Sequence, residues 1–315
     1  MIQEFVLKNL STLEEVKFGQ DLDCDYIYES GGLDWGDIPA THNTYNYPGQ
    51  IGDSISSSKI NNRDITVQAY AYYVLNEDER EEYGRDWVSY AYAKIKEKKE
   101  VLNRLINPLD YIRITVGEYY IEGKPEATVQ YGTTEDENNI FFCKFMFTIF
   151  CANPMFKKLT QTINVLSGDL GAFFFPLAIP PTGYQFGIRD DYLRLEVKNE
   201  GNSEIGGRIT ITAKGTVNKP TVTNQDNGQS FTINKQLVNG EQVIISTIDG
   251  PDKGVTGILN GVVSSYLQYW MFNSNDWIKF KPGLSILVYD SQDHSPELID
   301  IKVEINPEKF GLEEM

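Results

Sequence analysis

Four dipeptides in the last third of the chain constrain its fold most strongly: Asn227–Gly228, Asn239–Gly240, Asp249–Gly250 and Asn260–Gly261. They recur about every 11 residues, and Asn-Gly and Asp-Gly are the pairs that most readily adopt the left-handed geometry of a tight hairpin turn. Turns at that spacing leave room for strands of about five residues and none for a helix of ordinary length. The runs between them are rich in Val, Ile and Thr, which suit a pleated, half-buried surface. From Tyr192 onward the pattern therefore predicts an all-β sandwich of short strands.

The first half reads differently. Residues 2 to 8 and 13 to 18 alternate like two strands joined at Asn9–Ser11. The stretch from 19 to 64 is rich in Gly, Ser, Asn and Asp and predicts loops or an extended arm with a short strand or two, "DYIYE" among them. "DITVQAYAYYVL", residues 64 to 75, is a strand by its β-branched and aromatic content. Asn76 then opens a helix, because Glu79 stands three residues on in a capping-box arrangement and acidic residues fill the first turns. Trp87, Ala91, Ile95, Leu102, Leu105 and Ile106 recur at helical spacing. Gly84 divides the segment into one or two helices, and the last turn must end before Pro108. An amphipathic helix in a β-rich chain predicts that its apolar stripe covers a sheet.

Directly after the helix comes a meander, "YIRITVGEYYIEGKPEATVQY", with a tight turn at Gly117–Glu118, and then "NNIFFCKFMFTIFCANPMF". In that last run Phe141, Cys143, Phe145, Phe147, Ile149 and Cys151 share one face, while Phe142, Met146 and Phe150 share the other. Apolar residues on both faces predict a central strand buried on both sides. Residues 159 to 190 shift to Gly, Pro and Phe, as in "GDLGAFFFPLAIPP", which is how a connector between domains reads. The expected division is an N-terminal domain over 1–158, a connector over 159–190 and a C-terminal domain over 191–315. The fold class is mainly β with one or two helices: a sandwich-like first domain with a helix and an arm, then a second sandwich.

Composition narrows the function. The net charge is −17, with 45 acidic and 28 basic residues. No basic patch or stripe is visible, so specific nucleic-acid binding and attachment to anionic lipid are not expected. Three cysteines, Cys24, Cys143 and Cys151, form no C-x-x-C and suggest reduced thiols rather than a disulfide framework. The N-terminus lacks a basic stretch followed by an apolar core, so no signal peptide is expected, and the longest apolar runs are too short to span a membrane.

No catalytic, cofactor-binding or metal-binding residues can be assigned. His42 and His294 are the only histidines, fall in different expected domains and sit in no recognisable motif, so solvated loop positions account for them. Asp21, Asp23 and Asp25 alternate like the start of a calcium loop. The sixth position is Tyr26 where the turn needs Gly, and the twelfth is Gly32 where a bidentate Glu is needed. No phosphate-cradling glycine loop is present. Trp270 and Trp277, with Tyr266 and Tyr269, are either a sugar-stacking platform or sandwich core, and the aromatic content of such cores favours packing.

The order of these elements carries a resemblance. A strand, a charged helix ending in "LINP", a Tyr-rich hairpin (Tyr119–Tyr120–Ile121–Glu122–Gly123) and a last strand of the type Phe147–Thr148–Ile149–Phe150–Cys151–Ala152–Asn153–Pro154–Met155–Phe156 resemble the distal tail proteins of long-tailed siphophages. "FFFPLAIPP" resembles that family's Phe-Pro segment. The region from "VKNEGNSEIGGRITITAKG" to "VIISTIDG", with the later "WIKFKPGLSILVY", looks like its galectin-like C-terminal domain. The resemblance covers nearly the whole chain and is weakest over 19 to 64.

It implies a structural virion protein and not an enzyme: a homo-hexameric ring built by the N-terminal domains at the tail tip or baseplate, made in the host cytoplasm. Its implied partners are the major tail tube protein, the tail-associated lysin or tail fibre protein, and receptor-binding or other baseplate proteins. DNA would pass through the ring without being held by it. The galectin likeness leaves an alternative, a carbohydrate-binding module that contributes to attachment at the host cell wall. Against that, the His-x-Asn-x-Arg pattern of sugar-binding galectins does not occur here.

Overall fold

A computed structural model of the chain describes residues 4–74, 76–167, 170–171, 187–188, 194–271, 276–294 and 298–312. The chain forms two compact units, one of Met1–Leu159 with Phe310–Met315, the other of Thr160–Lys309.

The first unit begins with β1 (Glu4–Asn9) and β2 (Glu15–Gly19), an antiparallel pair in which Leu7 faces Val16. It continues with β3 (Tyr26–Asp34), β4 (Ala40–Tyr45), β5 (Ser54–Ile60) and β6 (Arg63–Tyr72). Helices α1 (Glu77–Tyr83) and α2 (Trp87–Leu105) follow, separated at Gly84 by a single 3-10 turn. The unit then returns to β7 (Ile112–Val116), β8 (Tyr119–Pro125), β9 (Gln130–Tyr131), β10 (Phe142–Cys151) and β11 (Phe156–Lys158).

The alternation in β6 is visible in its burial: Ile65, Val67, Ala69 and Ala71 are inside and the residues between them are not. Its neighbours in the sheet are β3 and β10, and the ladder to β10 runs unbroken from Phe142 opposite Tyr72 to Cys151 opposite Arg63. Strand order is β11-β8-β7-β1-β2-β3-β6-β10-β9, and β8 also pairs with β10, so the sheet wraps round one core. Gly123 allows that closure, since a Cβ there would run into the Phe150 carbonyl and the Ile149 side chain. The expected two-sided burial of β10 holds for one face only. Cys143, Phe145, Phe147, Ile149 and Cys151 are buried, whereas Phe150 on the outer face is 39% exposed. Wrapping turns the outer face of a central strand towards solvent.

The helix begins as its sequence predicts. The Glu79 amide donates to Asn76 Oδ1 at 2.7 Å, and the Asn76 amide donates to Glu79 Oε2 at 3.2 Å. We expect Asn76→Ala to lower the stability of the first unit by about 1 kcal/mol, read from its unfolding midpoint in urea. A change below a few tenths would show that the cap is redundant. At the other end, the Ile106 amide closes on the Leu102 carbonyl, and Asn9 Nδ2 reaches across from β1 to the Leu105 carbonyl at 3.0 Å. Ala91, Ile95, Leu102 and Leu105 are the buried stripe, and the last two enter the sheet's core. Tyr26 and Tyr131 lock the helix down by donating their hydroxyls to the carbonyls of Lys98 and Lys99. The long charged helix that feeds a hairpin thus covers the sheet, with its C-terminus tied to the first strand.

Residues 310–312 rejoin this unit. Buried Arg63 lies over the Phe156 ring, 5.0 Å from its centroid, and donates Nη2 to the Phe310 carbonyl, while Leu312 packs on the core. Burial pulls the Arg63 pKa below its usual value, against the pull of Cys151 and Asp37.

The second unit contains β12 (Thr162–Ser167), the short pair β13 (Leu170–Gly171) and β14 (Gly187–Ile188), β15 (Arg194–Asn199), β16 (Gly207–Ala213), β17 (Val217–Asn218), β18 (Thr221–Asn224) and β19 (Ser230–Thr232). After these come β20 (Gln236–Leu237), β21 (Gln242–Ser246), β22 (Gly254–Leu259), β23 (Val262–Ser265), β24 (Gly283–Asp290) and β25 (Ile299–Ile305). A six-stranded sheet, β12-β25-β16-β21-β22-β23, and a four-stranded sheet, β15-β24-β18-β19, contribute to one core, as a sandwich requires. Three of the four Gly-containing turns join antiparallel neighbours. Asn260 and Gly261, with φ of 51° and 78°, form the two-residue turn between β22 and β23. Asn239–Gly240 does not form a hairpin, because β20 and β21 belong to different sheets. The expected connector 159–190 opens with β12, which pairs along β25 as part of this unit. Residues 168–169, 172–186 and 189–190 of it, including "FFFPLAIPP", lie outside the described residues.

Candidate assembly surfaces

The residues that could have carried chemistry are held by ordinary structural contacts. His42 stands on exposed β4, with Nδ1 2.7 Å from Ser58 Oγ, so it belongs to a strand and not to a loop. His294 lies 3.0 Å from Asp290 in the other unit. Asp25 accepts a hydrogen bond from the Lys17 amide at 2.7 Å. Among the described residues, no group of three or more His, Cys, Asp or Glu is placed to hold a metal ion. All three cysteines are buried thiols; burial pushes Cys24 up and Cys151 to about 12, the reverse of what activates a thiol. Trp270 and Trp277 are partly buried against the second core. Their centroids lie 6.5 and 5.5 Å from buried Phe231, and Lys253 covers the Trp277 ring at 5.0 Å.

The surface that stands apart is the arm. Among the described residues, strands β4 and β5 pair only with each other, and nearly all their residues are exposed. Polar side chains cross-link the hairpin: Asn43 Nδ2 donates to Ser57 Oγ at 2.9 Å, Asn46 Nδ2 to Asp53 at 3.1 Å, and Asn61 Nδ2 to Thr41 Oγ1 at 2.8 Å. Its apolar residues have no core to enter. Tyr47 is 63% exposed, Ile55 60%, and Ile51 fully. An isolated two-stranded hairpin is marginal in water, so a hairpin of this kind has reason to find a second surface. The sequence predicts an arm but not its hairpin form, because runs such as "THNTY" and "SISSSKI" are largely polar and give no hydrophobic alternation.

Charge is uneven as well. The first unit carries 28 acidic and 16 basic residues, a balance of −12, and the second 17 and 12, a balance of −5.

Against known proteins, residues 200–303 match the family described as siphovirus-type tail component, C-terminal domain. Those residues therefore carry the C-terminal domain of a siphovirus-type tail component, which supports the resemblance to distal tail proteins. The chain is a structural component of a phage tail and is located in the virion. Its fold is similar over 96% of its length to the crystal structure of SPP1 Dit, of which 98% is covered, with a TM-score of 0.60 and 14% identity. That protein is presented as a paradigm of the hub adsorption apparatus in phages infecting Gram-positive bacteria. A chain of the phage P2 baseplate in its activated conformation with Ca aligns over 96% of this chain and 98% of its own, at TM-score 0.42 and 14% identity. No curated protein sequence matches. Among the described residues, no helix is long and apolar enough to cross a membrane.

Proposed function

We propose that six copies of this protein close a ring at the distal end of the tail through their first units, joining the tail tube to the tail-tip lysin or fibre, and that the second unit is a docking platform for host-recognition proteins. The exposed arm carries this reading. A closed ring needs head-to-tail contacts in which one patch meets a different patch of the next copy. The β4–β5 hairpin supplies a projecting element whose apolar residues gain by being covered. The −12 balance of the first unit supports a lumen through which DNA passes, because an acidic wall does not retain phosphates. The second unit fits a galectin-like sandwich, and the packing of both indoles on Phe231 favours docking over sugar stacking.

The test keeps the full chain. Native mass spectrometry should find a species of six times 35.8 kDa for the intact protein. Replacing residues 41–60 with a short Gly-Ser linker should leave a monomer with an unchanged thermal transition. An arm-deleted protein that still assembles would remove the arm from the interface. An intact protein that stays monomeric at high concentration and within purified virions would overturn the ring.

A further inference from the structure

The edges of the second unit's sheets are treated differently. Strand β15, at the edge of the four-stranded sheet, carries Arg194, Glu196 and Lys198 at its exposed positions, the usual protection of an edge against pairing with another chain. Strand β23, at the edge of the six-stranded sheet, reads Val262–Val263–Ser264–Ser265. It has no charge, no proline and no break in its register, and every residue is exposed, Val262 at 67% and Val263 at 65%. Leu267 and Met271, just beyond it in the chain, are exposed as well.

The backbone of β23 is also in place. The Tyr266 amide donates to the Val255 carbonyl at 2.9 Å, which makes that residue pair a hydrogen-bonded one. Such pairs alternate along an antiparallel ladder. Ser264 opposite Gly257 and Val262 opposite Leu259 therefore bond inward to β22. Val263 and Ser265 turn their amide and carbonyl groups outward, at the spacing another strand requires.

We propose that β23 receives an extended segment of a different polypeptide as a seventh strand of this sheet, a segment that is uncharged or basic and β-branched at alternate positions. Another extended backbone matches the spacing of these outward groups, and the Val side chains add apolar contact on alternate sides. The copies of the proposed ring meet through their first units, which leaves β23 on the second unit to a different polypeptide, and the −5 balance of this unit favours an uncharged or basic segment. That the segment comes from another tail protein rests on the assembly proposed above.

The edge is tested first on the free, full-length chain. The probe is a synthetic peptide, Lys-Thr-Val-Thr-Val-Thr-Lys, and the readout is amide hydrogen exchange at Val263 and Ser265. At saturating peptide both amides should exchange at least about tenfold more slowly. Val263→Pro removes one outward donor at a position where an edge strand tolerates proline. It should abolish the protection at Ser265, and Val263→Thr should retain it. Unchanged exchange of the parent chain in the presence of the peptide would overturn the proposal, whatever the variants do. A photo-crosslinking residue at position 263 then reports the occupant in purified virions. A bond to a different tail protein supports the proposal, and a bond between two copies of this chain overturns its choice of partner. Absence of the chain from virions would count against the assembly reading alone, leaving the peptide result to decide the edge.

Discussion

Replacing Glu241 by alanine should destabilise the second unit by about 3–5 kcal/mol, the cost of breaking a buried ion pair from one side. Glu241 is fully buried in the turn between β20 and β21. Lys235 Nζ reaches its Oε1 at 2.5 Å, the Tyr266 hydroxyl donates to the same oxygen at 2.6 Å, and the Val238 amide donates to Oε2 at 3.0 Å. Removing the carboxylate deprives the buried Tyr266 phenol and the Val238 amide of their acceptor, and leaves Lys235 only the Gln236 carbonyl. Burial alone would raise the Glu241 pKa, but the three donors outweigh it and hold the pKa below the ordinary 4.5. The bond to Glu241, with burial, raises Tyr266 to about 12, so the phenol remains a donor throughout the acid and neutral range.

The pH dependence follows from that direction. A carboxylate whose folded pKa is depressed contributes stability that is complete above its unfolded value, near 4.5, and is lost as pH falls through the folded value. Glu241→Gln cannot ionise and lacks this contribution at every pH. The stability difference between the parent protein and Glu241→Gln should therefore be constant from pH 7 to about 5 and narrow below about 4.5. Urea unfolding of the second unit at a series of pH values would show it. A difference that stays flat down to pH 3 would mean that the charge on Glu241 does not matter.

Phe18→Ala should cost the first unit a similar amount, about 3–5 kcal/mol. Phe18 has no exposed surface and sits where β1, β2, β3 and β10 converge. Its ring stacks on Phe5 at 5.0 Å and on Tyr26 at 5.1 Å, and meets Phe145 and Phe147 edge-on at 6.3 and 6.2 Å. The sheet wraps round this cluster, and a closed sheet cannot collapse freely into the space a lost ring leaves. The two units need not unfold together, so the effect should be read from the transition of the first unit. Leu13→Ala is the control. Leu13 is 66% exposed in the β1–β2 turn, and its removal should fall within about 0.5 kcal/mol of the parent. A Phe18→Ala cost as small as the control would show that the core repacks.

Elements whose causes are local were legible in the amino-acid sequence. Asn76 and Glu79 cap each other across three residues, and Asn260–Gly261 turns one strand onto the next. The helical stripe from Ala91 to Leu105 and the alternation of β6 follow from periods of 3.6 and 2 residues. The order of these elements was enough to suggest the distal tail family, which the match over residues 200–303 supports.

Contacts between distant residues were not legible. Arg63 reads as one polar residue in a loop-to-strand passage, yet it meets the Phe310 carbonyl 247 residues later. Glu241 reads as a turn residue, and Tyr266, which makes it a buried acid, lies 25 residues away on the far side of a hairpin. The outer face of β10 carries Phe142, Met146 and Phe150, so its composition predicts burial; the curvature set by the β8–β10 pairing decides that it is only half covered. By itself the sequence determined the type of each strongly periodic element and the turns between them, because those depend on neighbours within a few bonds. Tertiary structure decided which strands close the first sheet, which charge is buried, and which hairpin is left without a partner, because each of these depends on groups that only the complete fold brings together.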